Sequence, residues 1–270
     1  MTDTALPPAD PTVGSVADHE ARPGGFAAVG WKSRLRWFLA EFLVVVAGVL
    51  VALALTSWAQ DRRNLEREQA YLRQLNADLQ TSERILAETG ELMNLRAEAT
   101  ARVLHRFWLK NPVADDAFRE DLQLPRGTLR VRPVLGTAEA LISSGDLNLI
   151  RSDALRAQLM AYVDSMKAGL EDISRYDETY FRTAATTLRE GPDLVQFSKY
   201  RTQEDRLRPR PNVVERVPFP TTLAAMLNDR SVYNGYNALL IAHRNQAWRY
   251  GEMLEETRAL RERVDAAIEK

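Results

Sequence analysis

The chain has 270 residues with 36 Lys and Arg against 37 Asp and Glu, a formal net charge of -1. That balance excludes the one-sided field a nucleic-acid partner would need. Cysteine is absent, which excludes disulfides, thiolate metal ligands and thiol nucleophiles.

Residues 1–30 carry Pro7, Pro8, Pro11 and Pro23 among small and acidic residues, with no apolar periodicity. A disordered tail is expected there, and His19 within it receives no role. Residues 37–58, WFLAEFLVVVAGVLVALALTSW, form an apolar run with one charge, Glu41. At about 1.5 Å per helical residue this run is long enough to cross a hydrocarbon core of about 30 Å. Lys32, Arg34 and Arg36 precede it, Asp61, Arg62 and Arg63 follow it, and Trp31, Trp37 and Trp58 sit where interfacial aromatics gather. A transmembrane anchor over 31–60 is therefore expected. A cleaved signal sequence would have a shorter lead-in and a shorter apolar core, so Ala52-Leu53-Ala54 is read as part of an uncleaved span.

Lys and Arg within about 15 residues of the span are balanced between its two sides, and the positive-inside rule alone gives a tie. Three of the N-terminal four crowd the last five residues before the span, which favours a cytoplasmic N-terminus and a periplasmic C-terminal domain at a bacterial inner membrane. Glu41 lies one turn inside the apolar run. Charge at the centre of a bilayer costs about 2.5–3.5 kcal/mol on insertion scales, and near the edge Glu41 escapes most of that by reaching the interface beside Arg34 or Arg36. Glu41, Val45, Gly48, Ala52 and Thr56 fall on one helical face. Gly48, Ala52 and Thr56 make a ridge of small residues that lets two helices approach closely in lipid. Self-association of the span through Glu41, Gly48, Ala52 and Thr56 is the site hypothesis this pattern carries.

Beyond Trp58, helix-favouring sequence continues to about Lys110. Trp58, Leu65, Leu72, Leu79, Leu86, Met93, Thr100 and Phe107 recur every seven residues, and Leu75, Ile85, Leu92 and Val103 widen the stripe. Period seven over that length predicts a long helix packed on partner helices, coiled-coil fashion. Gly90 is a candidate break in it, and His105 is expected to pack among Val103, Leu104, Phe107 and Trp108. Asn111-Pro112 is expected to end the element. A short helix follows over 114–122, then an extended link, LPRGTLRVRPVL. Next come a helix over 138–144 capped by Thr137 and closed by Gly145, and a helix opened by Ser152. In that helix Leu155, Leu159, Tyr162, Met166, Leu170, Ile173 and Tyr180 give one buried face, and Gly191-Pro192 stops it.

Two blocks in this order carry a resemblance. One is the acidic residue opening a Val/Leu/Gly-rich span that closes on Trp58 and continues as QDRRNLEREQAYLRQLNADL; the other is ALISSGDLNLIRSDALRAQLMAYV. Together they resemble a family of uncharacterised bacterial single-span membrane proteins, a domain of unknown function, over roughly residues 37–165. The family's span typically ends on an Asn-Asn-Trp-Asn-like motif, where this chain has Thr56-Ser57-Trp58-Ala59. The resemblance implies the single-span architecture and no activity.

Residues 193–220 read as an irregular, solvated loop in which Arg201, Arg206, Arg208, Arg210 and Arg216 mix with Glu204, Asp205 and Glu215. Thr221 or Thr222 caps a short helix. A long one follows, with Val232, Tyr236, Leu240, His243, Ala247, Tyr250, Leu254, Val264 and Ile268 on its apolar face. His243 is expected to be buried and hydrogen-bonded there.

No phosphate-binding glycine loop, HExxH, EF-hand or GxSxG motif occurs. Ser143-Ser144-Gly145-Asp146 reads as a helix end and turn. Asp115-Asp116 and Glu255-Glu256 are neighbours pointing different ways on a helix. No catalytic, cofactor-binding or metal site is assigned, and no enzyme activity is expected. The fold expected is all-α: one N-terminal transmembrane helix (31–60) running on into a long helix and an antiparallel helical bundle (61–270). The function expected is structural or protein-interacting, with the bilayer, a second copy and an unidentified protein as partners. The alternative is a ligand-sensing extracytoplasmic bundle that signals through a separate partner. A cavity lined by Tyr162, Tyr236 and His243 would favour sensing, and a packed core would favour interaction.

Overall fold

The computed structural model describes residues 31–110, 112–127, 129–200, 207–208 and 219–268, the side chains of 32–34 aside. The tail with His19, the side chains of Lys32 and Arg34, and the arginines at 201, 206, 210 and 216 lie outside what is described. Every regular element described is helical: α1 Trp31–Arg106, α2 Asp116–Gln123, α3 Gly136–Ser144, α4 Asp153–Tyr176, a π-helical segment Asp177–Phe181, α5 Arg182–Glu190, α6 Leu223–Leu227 and α7 Arg230–Ile268. Short 3-10 turns occupy Leu124–Arg126, Asp146–Leu149 and Val195–Phe197.

The chain divides into two compact units, Met1–Ala59 and Gln60–Lys270, and α1 contributes to both. In the first unit α1 is long and apolar enough to cross a membrane. Its apolar side chains there are exposed among the described residues: Val44 is 72% exposed and Trp58 67%.

The second unit is an up-down-up-down arrangement in which one of the four limbs is not a single helix. Residues 60–106 of α1 rise through it. The return limb is the crossover from 107 to 152, whose short helices and extended strap run back down α1. Arg102 grips Asp121 through two hydrogen bonds of 2.7 and 2.9 Å. Lower down, Ser82 Oγ accepts from the Val134 amide at 2.7 Å, and the Thr137 hydroxyl donates to Asp78 at 2.6 Å. At the bottom, Tyr71 donates to Asp146 at 2.9 Å, and the Arg151 amide donates to the buried Glu68 carboxylate at 2.7 Å. The third limb, α4 through α5, rises again and α7 descends. Glu83 pairs with Arg258 and Arg261 at 3.0 and 3.1 Å, and Gln69 reaches the Ala267 carbonyl, so α7 runs antiparallel to α1. Tyr162 against Thr257 and Asp172 against Arg249 set it antiparallel to α4 as well. The all-α antiparallel bundle expected from the periodicity is the fold observed.

The seven-residue stripe of α1 is the spine of the core, with Leu72, Leu79, Leu86, Met93 and Thr100 all buried and Leu75 and Val103 beside them. The caps at Ser152 and Thr222 form as expected, accepting from Leu155 and Ala225 at 3.2 and 3.1 Å, and Gly145 closes α3 at φ 79°.

Three local expectations are corrected. Gly90 does not break α1: the helix passes through it, and the missing side chain lets Tyr250 of α7 come close, since a Cβ there would sit 3.6 Å from the Tyr250 Cβ. Thr137 does not cap α3, because Leu135 holds the cap position and the Thr137 hydroxyl is drawn to Asp78 on α1. His105 is exposed rather than packed. It lies in the last turn of α1, where the stripe continues through Val103, Leu104 and Phe107 and leaves position 105 facing solvent. The chain leaves α1 after Arg106, before Pro112 is reached.

Candidate functional site

Three places in the described structure carry features beyond ordinary packing. The first is the face of α1 marked by Glu41, Gly48, Ala52 and Thr56. All four are exposed, and a Cβ placed on Gly48 would meet nothing within 4 Å. The Thr56 hydroxyl donates to the Ala52 carbonyl one turn earlier at 2.8 Å, which satisfies it within the helix and leaves the ridge smooth. Among the described residues Glu41 forms no ion pair. The helix therefore brings these four onto one face that is exposed among the described residues.

The second is a polar layer that divides the bundle core. Below it lies a cluster built from Leu72 to Met93, α4 and the far half of α7; above it lies one built from Val103, Phe118, Leu122, Ala184, Met226 and Tyr236. Between them Asp177, at the start of the π-helical segment, is 9% exposed. Its carboxylate accepts from Gln246 Nε2 on α7 at 2.6 Å and from Arg130 Nε on the strap at 2.8 Å. One side chain thus ties three limbs together. The π turn is real in the hydrogen bonding, with the Arg182 amide donating five residues back to the Asp177 carbonyl. A wide turn of this kind inserts a residue into the helix and re-aims the faces on either side of it.

One turn above Gln246, His243 is 1% exposed, and its Nε2 lies 2.8 Å from the Pro125 carbonyl. A carbonyl only accepts, so Nε2 carries a proton and donates it to Pro125. Burial is the main cause that lowers the His243 pKa from 6.5 to about 4, and the nearby Arg96 guanidinium works in the same direction. The Pro125 carbonyl, Gln246 and Asp177 oppose them without reversing the outcome. The expectation of a buried, hydrogen-bonded His243 holds. Tyr236 donates to the Leu122 carbonyl at 2.6 Å, and Tyr162 shares a 3.1 Å hydrogen bond with Thr257. Burial pushes both phenols' pKa values up. Tyr162, Tyr236 and His243 are thus each sealed at 5% exposure or less and joined to an internal partner. They pin the core and do not meet at a ligand cavity.

The third is a groove of about 750 Å³ beside α5, lined among others by Arg126, Phe181, Leu188 and Arg189. The sequence pattern did not single these out, nor Asp177, Gln246 and Arg130. Asp177 did leave a signal: it falls four residues after Ile173 on the apolar stripe of α4, a place where a carboxylate is expected only if it has partners. No group of three or more His, Asp or Glu side chains able to hold a metal occurs among the described residues. No family model, curated protein or solved structure matches this chain.

Proposed function

We propose that this chain is a single-pass protein of a bacterial inner membrane whose helical bundle has a structural or protein-interaction role. In this reading it is not an enzyme, its N-terminus is cytoplasmic and its bundle periplasmic. The observation that carries the reading is the exposed apolar surface of α1 over 37–58; the bundle has a separate buried core of its own. An apolar surface of that size, exposed among the described residues, calls for lipid or a partner helix. The order of span, charged helix and ALISSGDLNLIRSDALRAQLMAYV block supports a place among bacterial single-span membrane proteins.

Alkaline phosphatase and a fluorescent protein fused in turn after Lys270 test the orientation. Phosphatase activity without fluorescence is expected, and fluorescence without phosphatase activity would move the bundle into the cytoplasm. Self-association is read through the ridge of Gly48, Ala52 and Thr56. Gly48→Ile places a branched side chain where the helices need close approach and is expected to reduce the cross-linked dimer in lipid by about tenfold, the effect of about 1.4 kcal/mol. An unchanged dimer fraction would assign the face to lipid alone.

The sensing alternative draws support from one observation, the groove beside α5, which gives the bundle a place to hold a small molecule outside its core.

A further inference from the structure

The groove beside α5 has an apolar floor and a basic rim. Phe181 from the π-helical segment, Leu188 from α5, Leu194 from the loop after it and Leu239 from α7 line it. Its shape depends on an unusually close approach of α5 to α7. A Cβ on Gly235 would lie 2.5 Å from Leu188 Cγ, so only glycine lets Leu188 seat there and form the wall.

Arg126 and Arg189 stand at the groove, both exposed, and neither forms an ion pair or hydrogen bond among the described residues. Other arginines on this bundle have carboxylate partners, among them Arg102, Arg106, Arg130, Arg249 and Arg258. The one carboxylate lining the groove, Asp193, is already engaged, accepting from the Val195 amide at 2.9 Å. Two unspent guanidiniums therefore border an apolar trough, and guanidinium geometry matches a carboxylate through two parallel hydrogen bonds.

We propose that this groove binds a long-chain fatty acid, with the acyl chain along Phe181, Leu188 and Leu194 and the carboxylate on Arg126 and Arg189. The volume sits within the usual range of about 300–1,000 Å³ for small-molecule sites. It has room for one acyl chain and a small head, and not for a two-chain phospholipid. Phe181 and Leu188 offer an acyl chain apolar contact that a small hydrophilic anion would leave unused. The assignment goes beyond the interaction role and stands whether or not the bundle docks a protein.

The test uses the full chain in lipid nanodiscs with a diazirine-bearing palmitic acid, followed by ultraviolet cross-linking and peptide mapping. Adducts are expected within residues 181–194, competed by palmitic acid and not by hexadecanol, which has the same chain without the charge. Arg126→Ala with Arg189→Ala is expected to lower those adducts by about tenfold, the usual cost of a lost charge-assisted contact. Ala185→Trp, which fills the groove from α5, is expected to do the same. Both arginines are exposed, so the double variant is expected to melt with the parent chain; that arm stands even if the tryptophan variant fails to fold. Adducts confined to 37–58, equal competition by hexadecanol, or undiminished labelling of the arginine variant would each overturn the proposal.

Discussion

Asp177→Ala is expected to destabilise the bundle by about 3 kcal/mol, because it strands a buried amide and removes a charge-assisted hydrogen bond together. The Gln246 side chain is buried on α7 with its donor aimed at Asp177, so removing the carboxylate takes away that partner. Arg130 is less affected, since its side chain is 62% exposed and returns to solvent. Asp177→Asn keeps an oxygen for Gln246 and loses mainly the pair with Arg130, so it is expected to cost about 1 kcal/mol, as half-exposed ion pairs do. Replacing Asp177 and Gln246 together with Leu is expected to recover most of the loss, because an apolar pair leaves nothing unpaired. Urea unfolding followed by circular dichroism measures all three. A cost below about 1 kcal/mol for Asp177→Ala would mean the layer does not tie the limbs together.

The second large effect is a dependence on pH set by His243. The unfolded chain binds a proton at His243 near pH 6.5, and the folded chain does so only near pH 4. Between those values the unfolded state holds more protons, so stability falls as the pH drops through that window and levels off below it. From pH 7 to pH 5 the loss from this one ring is about 2 kcal/mol. His243→Gln keeps a donor for the Pro125 carbonyl and has nothing to titrate. Its stability is expected to fall less than the parent's over the same interval, by that difference. Parallel curves for the two proteins from pH 7 to pH 5 would show that His243 is not held neutral by burial.

The elements that were legible in the sequence are those whose physics is local. Period seven along α1 located Leu72, Leu79, Leu86 and Met93 in the core because a helix repeats its faces whatever it packs on. Ser152 and Gly145 were legible because a cap and a left-handed turn are settled within four residues. Gly90 was misleading, since glycine lowers helix propensity and a packed neighbour such as Tyr250 overrides that. Thr137 was claimed by Asp78, a residue 59 positions away, and no local rule weighs such a competitor. The polar layer was hidden for the same reason: Asp177 meets Gln246 across 69 positions and Arg130 across 47. The π turn was hidden too. A stripe read at 3.6 residues per turn placed Tyr180 inward; it is half-buried, while Asp177 and Ala184 on either side of it are buried.

The position of α7 in the chain has a consequence for how the protein is made. It is the limb that packs along both α1 and α4, and it follows them in order of synthesis. Until its 39 residues have emerged, the stripes of α1 and α4 have no full cover. At roughly 5–20 residues per second, translating α7 alone takes about 2 to 8 s, far longer than a helix needs to form. A nascent chain therefore carries finished helices with bare apolar faces for seconds. That interval is when a holding chaperone would engage it and when a protease would find it open.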